Sequence, residues 1–216
     1  MTDEIISRIE EDIVFGVYPP GGKLVEDQLG ERFGLSRYNL RSALSILQEK
    51  GLVEKIPNRG VRVIEPTPKE IDELYEIRLL LESHAASQTP LPAHPSLIES
   101  LEIKNQEHKE AAAKGDLRAV FRHNLAFHSI QFSACPNEKL RDAIEQYARK
   151  VHIVRAVKYF DASHLERVIQ QHAAIVSSLR GSDTWTYVQA VREHIPASSQ
   201  AYRTAYELKY GVSGAS

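Results

Sequence analysis

The sequence contains very little sulfur: Cys135 is its single cysteine, and it has one methionine. An intrachain disulfide bond is therefore impossible, which excludes the small secreted folds that depend on disulfide frameworks. One thiol in a chain of this length is typical of a protein in a reducing cytoplasm, where we expect this protein to act. We interpret Cys135 as a thiol without a chemical role.

Long apolar segments are also lacking. No run approaches the roughly 18 residues that a membrane-spanning helix requires. The N-terminal sequence, MTDEIISRIEEDI, carries charges every few residues and has no apolar centre of signal-peptide length. The sequence therefore predicts neither a leader nor a membrane partner.

The total charge is low, with a formal net charge of −2 at pH 7, which excludes a uniformly basic protein that coats nucleic acid. Positive charge is instead concentrated between residues 35 and 62, where six basic and two acidic residues leave an excess of four positive charges. The basic residues are Arg37, Arg41, Lys50, Lys55, Arg59 and Arg62. A local basic surface is enough for DNA binding, because the attraction depends on charges close to phosphates.

Residues 1–66 have the pattern of a winged helix-turn-helix domain. Apolar spacing predicts three helices, and β-branched residues around a turn predict a small β-hairpin wing. The predicted helices span 3–15, 26–33 and 37–50, and the predicted strands span 52–56 and 61–64. Ser36 is a good N-cap for the third helix, and Gly34 permits the tight turn before it. A short helix that begins with Arg37 and Arg41 fits the major groove of DNA.

Residues 67–216 are predicted to form a separate, all-α domain. Pro66 and Pro68 stiffen the linker before it, because proline propagates neither a strand nor a helix. Asp116 and Ser163 are the expected caps of its third and fifth helices. The six predicted helices span 68–88, 95–114, 117–134, 138–160, 164–180 and 184–208. The fold class is therefore mostly α, with a six-helix bundle after the DNA-binding domain.

Both halves of the chain resemble one known family. The segment PGGKLVEDQLGERFGLSRYNLRSALSILQEKGLVEKIPNRGVRV (20–63) resembles the winged helix-turn-helix of GntR-type bacterial regulators. The second half resembles the helical effector domain of the FadR branch, called the FCD domain, through EIRLLLE, NLAFH, PNEKL, QHAAIVSSLRGSD and REHI. The resemblance implies a homodimeric transcriptional regulator, usually a repressor, that binds a pseudo-palindromic DNA operator and responds to a small carboxylate effector.

The resemblance also implies which residues contact DNA. They are Arg37, Tyr38, Asn39, Arg41, Arg59 and Gly60. Ser36 is added because its hydroxyl can contact a phosphate as well as cap the helix. The chemistry agrees for the arginines, since each can donate two hydrogen bonds to a guanine. The alternative is that these are ordinary solvated charges on a surface helix. Asp27 departs from relatives that carry a basic residue there, and it is expected to repel phosphate.

Three of the nine histidines match the metal ligands of the family. The implied site is made of Asn124, His128, His172 and His194 and holds a divalent metal, zinc or nickel being the ions that imidazole suits. Asn124 stands where relatives carry aspartate, so that the site loses a negative charge but keeps three histidines. The alternative is a metal-free pocket in which the histidines bind the effector directly. The other six histidines are interpreted as structural or surface residues.

The expected effector pocket is defined by fewer residues. Arg78, in EIRLLLE, lies where relatives point a side chain into the pocket, and it can pair with a carboxylate. A salt bridge to Glu82, one helical turn away, is the alternative for Arg78. Tyr147 and Tyr202 are expected to line the same pocket.

Two other functions remain open at this point. A three-histidine site with an open position can activate water in a metal-dependent enzyme, although no general base or nucleophile motif accompanies these histidines. A metal sensor, in which the ion itself is the signal, is the second alternative. The DNA-binding half favours a regulator over an enzyme.

Overall fold

The N-terminal domain is a three-helix unit with a small antiparallel sheet. The computed structural model describes residues 2–155, 161–195 and 199–211. The helices of this domain are α1 (Thr2–Val14), α2 (Glu26–Phe33) and α3 (Arg37–Glu49), and the strands are β1 (Lys23–Leu24), β2 (Val53–Ile56) and β3 (Gly60–Val63). Gly34, with a φ of 63°, ends α2, and the Ser36 side chain accepts a hydrogen bond from the Asn39 backbone to begin α3.

The wing has one strand more than the sequence predicts. Its strand order is β1-β3-β2, and both pairings are antiparallel. The additional strand, β1, contains two residues, of which Leu24 is buried and Lys23 is exposed. Two residues are too few for an alternating pattern, so β1 is defined only by its pairing with β3.

In the described part of the second half, all the regular secondary structure is helical, and the predicted mostly-α class is confirmed. Its helices are α4 (Pro68–Gln88), α5 (Pro95–Ala113), α6 (Leu117–Ser133), α7 (Glu138–Lys150), α8 (His152–Arg155), α9 (Ala162–Leu179), α10 (Thr184–His194) and α11 (Ser199–Tyr210). Helix α5 packs against α6 and α9, and α10 packs against α4 and α9. Phe127 and Tyr187 are fully buried at the centre of this arrangement.

Two of the six predicted helices are each divided. The segment predicted as 138–160 contains α7 and the short α8, separated at Val151, where ψ is 5°; residues 156–160 lie outside the described residues. The segment predicted as 184–208 contains α10 and α11, with residues 196–198 outside the description. Pro196 follows Ile195 in the sequence, and proline lacks the backbone N–H group that a continuing helix requires.

The cap of α9 is a second correction. Asp161, rather than Ser163, accepts hydrogen bonds from the backbone N–H groups of Ser163 and His164, and the Ser163 hydroxyl donates to the same carboxylate. Aspartate and serine are equally good caps, so that the sequence alone does not separate candidates two residues apart.

The two domains are joined by an acidic turn of α1. Glu10, Glu11 and Asp12 are buried. Glu11 pairs with Arg122 of α6 at 2.9 Å, and Arg118 of α6 donates to Asp12 at 2.6 Å. The carboxylates of these pairs are buried, whereas the Arg118 and Arg122 side chains are 39 % and 54 % exposed, so that water screens the pairs in part.

The C-terminal helix forms a second contact between the domains. The Tyr202 hydroxyl donates to the Pro66 carbonyl oxygen in the linker at 2.8 Å. Lys209 and Tyr210 both bind the carboxylate of Glu65, at 2.5 and 2.6 Å. The orientation of the DNA-binding domain is therefore set from two sides, by α1 and by α11.

Candidate functional site

The expected DNA-contacting residues lie together on the exposed side of α3. The Arg37 side chain is 84 % exposed, and Tyr38 is 82 % exposed. Arg37 lies 3.7 Å from the carboxylate of Asp27, and the Nε atom of Arg41 lies 3.4 Å from that of Glu26. Both arginines are thus available to DNA but face carboxylates from the first turn of α2.

The wing turn presents a second basic point. Asn58 has a φ of 59°, and Gly60 has a φ of 88°, a conformation that favours residues without a β-carbon. Arg59 lies between them and is exposed. Arg59 is therefore exposed at the tip of the wing, where a contact with the minor groove or the DNA backbone can form.

Three histidines from three helices meet inside the helical domain. His128 of α6, His172 of α9 and His194 of α10 place one ring nitrogen each within 4.8 Å of the others. His172 is fully buried and stacks on Phe127 with ring centroids 3.9 Å apart, which fixes its ring plane. Two nitrogens bound to one zinc lie at most about 4.2 Å apart, so the three rings would draw slightly closer together around an ion.

Two of these rings face each other through Nε2. The Nε2 atoms of His128 and His194 are 3.0 Å apart. For comparison, two nitrogen ligands on a tetrahedral zinc lie roughly 3.3 Å from each other. The spacing of this pair is therefore close to that of two ligands of the same ion.

A glutamine determines which nitrogen of His194 carries the proton. The side-chain amide of Gln171 donates to the Glu193 carbonyl oxygen at 3.0 Å, and a carbonyl can only accept. The amide oxygen of Gln171 must then face Nδ1 of His194, 3.1 Å away, and Nδ1 must donate to it. Neutral His194 consequently presents a lone pair at Nε2 toward His128, as a metal ligand does.

A second glutamine contacts His128 in the same way. The amide oxygen of Gln131 lies 3.0 Å from Nδ1 of His128, and its nitrogen donates to the Tyr187 hydroxyl at 3.3 Å. With this orientation both Nε2 atoms are acceptors, and a cation between them removes their repulsion. A reversed Gln131 amide would instead let Nε2–H of His128 donate to His194, an arrangement that needs no metal.

Asn124 is the fourth residue of the expected metal site. It is buried on α6, one helical turn before His128 and on the same helix face. Its amide oxygen is a neutral metal ligand, so that the four residues together supply three nitrogen ligands and one oxygen ligand without negative charge. Such a donor set fits zinc or nickel better than magnesium or calcium, which prefer carboxylates.

The other histidines have separate roles. His84 and His94 are exposed, and His94 caps α5. His108 is fully buried with its ring centroid 5.4 Å from that of His172. Burial, assisted by the charges of His123 and His164, lowers the pKa of His108 to about 4, so that it is neutral at physiological pH.

A cavity of about 560 Å³ opens beside His128. Its lining includes Arg78 and Glu82, both buried, and Arg78 donates to the Glu82 carboxylate at 2.8 Å through Nε and Nη2. The salt bridge expected as the alternative for Arg78 is therefore present, within the cavity wall. The volume is in the range of small-molecule sites.

The two tyrosines expected to line the effector pocket lie outside this cavity. Tyr202 contacts the interdomain linker through Pro66. Tyr147 lies under the ammonium group of Lys150, at 4.8 Å from the ring centroid. Neither is among the described residues that line the cavity. Sequence position in a helix does not fix rotation about its axis, and a one-residue difference moves a side chain by 100°.

Comparison with known proteins assigns the chain as a whole. The family model for the bacterial regulatory proteins of the gntR family matches residues 1–63, and the FCD domain model matches residues 73–197. The chain belongs to the GntR family, in the branch that carries an FCD domain. Membership makes this GntR protein a DNA-binding transcriptional regulator rather than an enzyme.

Known GntR relatives cover nearly the whole chain. The uncharacterized HTH-type transcriptional regulator YdhC of Bacillus subtilis is 25 % identical over 195 residues, 90 % of this chain and 85 % of that protein. The HTH-type transcriptional repressor RspR of Escherichia coli is 26 % identical over 203 residues, 94 % and 89 % of the two chains. The structure of E. coli McbR/YncC matches with a TM-score of 0.77 at 20 % identity over 97 % of each chain, which supports the fold.

Several residues at this GntR site had no signal in the sequence. Gln131 and Gln171 orient histidines, and Lys50 and Glu10 of the DNA-binding domain line the cavity. Gln131 follows His128 by three residues, which is the only local hint. None of the helices in the described ranges is long and apolar enough to cross a membrane.

Proposed function

We propose that this GntR protein is a cytoplasmic repressor that binds a pseudo-palindromic operator as a homodimer and responds to a small organic acid bound at a divalent metal. The observation that carries the proposal is the pair of Nε2 atoms of His128 and His194, 3.0 Å apart, with the proton of His194 assigned to Nδ1. His172 and Asn124 complete the donor set.

The metal, zinc or nickel, would supply an electrophilic position that accepts a carboxylate oxygen. The protein's own groups do the rest: Gln171 and Gln131 hold the imidazole rings, and Phe127 fixes the plane of His172. The cavity beside His128 is large enough for the body of the acid. The acid changes DNA affinity only if it binds with different affinity to the dimer arrangement that fits DNA and to the arrangement that does not.

Dimerisation is supported by the operator geometry and by exposed apolar side chains. Two recognition helices reach successive major grooves only if a symmetric dimer presents them roughly one helical turn apart. Leu80 of α4 and Trp185 of α10 are 65 % and 69 % exposed, and a dimer interface would bury such large apolar side chains. Light scattering on the intact protein, with Leu80→Glu and Trp185→Glu beside it, tests for a dimer mass and for its loss.

Metal content is the test of the site itself. We expect about one equivalent of zinc or nickel per chain by elemental analysis after dialysis, and its loss in the His128→Ala, His172→Ala double variant. His84→Ala is the matched control, because His84 is exposed on α4. Absence of metal from the wild type, even after reconstitution, would establish the hydrogen-bonded arrangement and a metal-free pocket.

The response to an acid is tested on the metal-loaded protein with DNA selected from a random duplex library. A carboxylate that lowers DNA affinity supports the proposal. Release of DNA by the metal ion alone, with no acid present, would identify the ion as the signal and overturn the acid response.

A further inference from the structure

The cavity beside His128 is shared between the two domains. Arg78, Glu82 and His128 belong to the helical domain, whereas Glu10 and Lys50 belong to the DNA-binding domain. Lys50 is the C-cap residue of α3, the helix expected to enter the major groove. A molecule in this cavity therefore has a direct route to the recognition helix.

Lys50 already holds a carboxylate. Its ammonium group lies 2.9 Å from Oε2 of Glu10, and the other oxygen of Glu10 lies 3.1 Å from Nδ1 of His152 in α8. The Lys50 side chain is 22 % exposed, and that of Glu10 is 9 % exposed. This end of the cavity is thus a formed carboxylate site, at present filled by the protein's own side chain.

The other cations of the cavity wall are held within the helical domain. Arg78 binds Glu82 on the same helix, and Arg149 binds Glu145 on the same helix at 2.5 Å. Arg141 donates to the Cys135 carbonyl oxygen at 2.6 Å. Lys50 differs from these cations because it belongs to the DNA-binding domain. Its partner Glu10 also contacts His152 of the helical domain, so that the three groups meet across the domain boundary.

We infer that the cavity is a site for an acid with two carboxylates, one bound at His128, the member of the histidine cluster that lines the cavity, and the other at Lys50. The inference rests on the proposed function, because it adds a second anchor to the acid bound at the metal. The second carboxylate takes the place of Glu10 on Lys50, while Glu10 keeps its contact with His152. Lys50, at the end of the recognition helix, then exchanges its ion pair with Glu10 of α1 for an ion pair with the ligand. Ligand binding is thereby transmitted to the helix that contacts DNA.

The test is calorimetry on the intact, zinc-loaded protein. The probes are linear dicarboxylates from succinate to pimelate, each compared with the monocarboxylate of the same chain length. We expect the best dicarboxylate to bind roughly tenfold more tightly than its monocarboxylate, as one charge-assisted contact allows. Lys50→Met removes this preference, and Lys109→Met, an exposed lysine on α5, leaves it unchanged.

A second variant separates a binding role of Lys50 from a structural one. Glu10→Gln weakens the internal competitor for Lys50, so that it strengthens dicarboxylate binding, whereas Lys50→Met weakens it. A purely structural pair would weaken binding in both variants, and that result overturns the inference. Persistence of the dicarboxylate preference in Lys50→Met also overturns it.

The same data distinguish failure of the second anchor from failure of the proposed function. If mono- and dicarboxylates bind equally well and both are lost in His128→Ala, the metal-bound acid stands and the second anchor is wrong. If no carboxylate binds the zinc-loaded wild type, the acid response itself is wrong, and the inference falls with it.

Discussion

Arg37, at the start of the recognition helix, faces Asp27 of α2 across 3.7 Å. Both side chains are more than four-fifths exposed, so that water screens the pair and its contribution to stability is small. Arg41 and Glu26 repeat the arrangement one turn further along α3. The basic surface of α3 therefore lies next to the carboxylates of Asp27 and Glu26, which DNA phosphates must approach. We expect these carboxylates to weaken non-specific DNA binding.

Asp27→Asn is expected to raise affinity for non-specific duplex DNA by about threefold at low salt, because it removes a repulsive charge next to the phosphates. Fluorescence anisotropy over a salt series measures the effect, which should fade as salt increases. Glu73→Gln, an exposed carboxylate on α4, is the control. Unchanged affinity in Asp27→Asn would mean that α2 stays far from the DNA backbone.

Asn124→Asp is expected to raise zinc affinity by roughly tenfold, because it adds the negative charge that the donor set lacks. Without metal the same variant should be less stable than the wild type, since burying a carboxylate is costly unless a neighbouring imidazole takes up a proton. Thermal unfolding with and without zinc measures both effects. Asn58→Asp, at the wing tip, is the control; equal shifts in the two variants would argue against Asn124 as a ligand.

Gln171→Ala is expected to lower metal affinity by about 10- to 100-fold, because His194 loses the acceptor that keeps its proton on Nδ1. The adjacent Gln170 is exposed and bonds Glu166 instead, so that Gln170→Ala is a closely matched control. Competition titration with a chromophoric chelator gives both affinities. A similar loss in both variants would indicate a general effect on α9 rather than a role of the Gln171 amide.

Local sequence patterns determine the helices of this protein better than its site. Caps such as Ser36 and Asp116 act over three or four residues and are visible in the sequence, whereas β1 exists only through pairing with β3 some 40 residues later. The three histidines were expected to lie together because their positions in the sequence match the metal ligands of the family. The tautomer of His194 depends on the Glu193 carbonyl and on how α9 and α10 are rotated, which no local pattern encodes.

The cavity illustrates the same limit on a larger scale. Lys50 was expected to serve only the basic surface, and Arg78 only the helical domain. They line one cavity because the acidic turn of α1, in the DNA-binding domain, contacts α6 of the helical domain. Domain packing depends on many tertiary contacts at once, so that the sequence predicted both domains but not the site between them.

Glu10 gives this domain contact a measurable dependence on pH. Burial raises its pKa, but hydrogen bonds and charge from His152, together with Lys50, lower it further, to about 2. A carboxylate whose pKa is lowered by folding stabilises the folded state at pH values above its pKa in the unfolded chain, about 4.5. This contribution is lost as the pH falls from about 4.5 toward about 2, the pKa in the folded state. Glu10→Gln is therefore expected to reduce the free energy of unfolding by about 3 kcal/mol at neutral pH.

The difference between wild type and Glu10→Gln should shrink to about 1 kcal/mol near pH 3, where part of the wild-type advantage has already been lost. Urea unfolding at the two pH values measures it. Glu4→Gln, an exposed carboxylate on the same helix, is the control. A difference that stays constant with pH would show that Glu10 acts through packing alone, and its charge would then have no part in holding α1 to the helical domain.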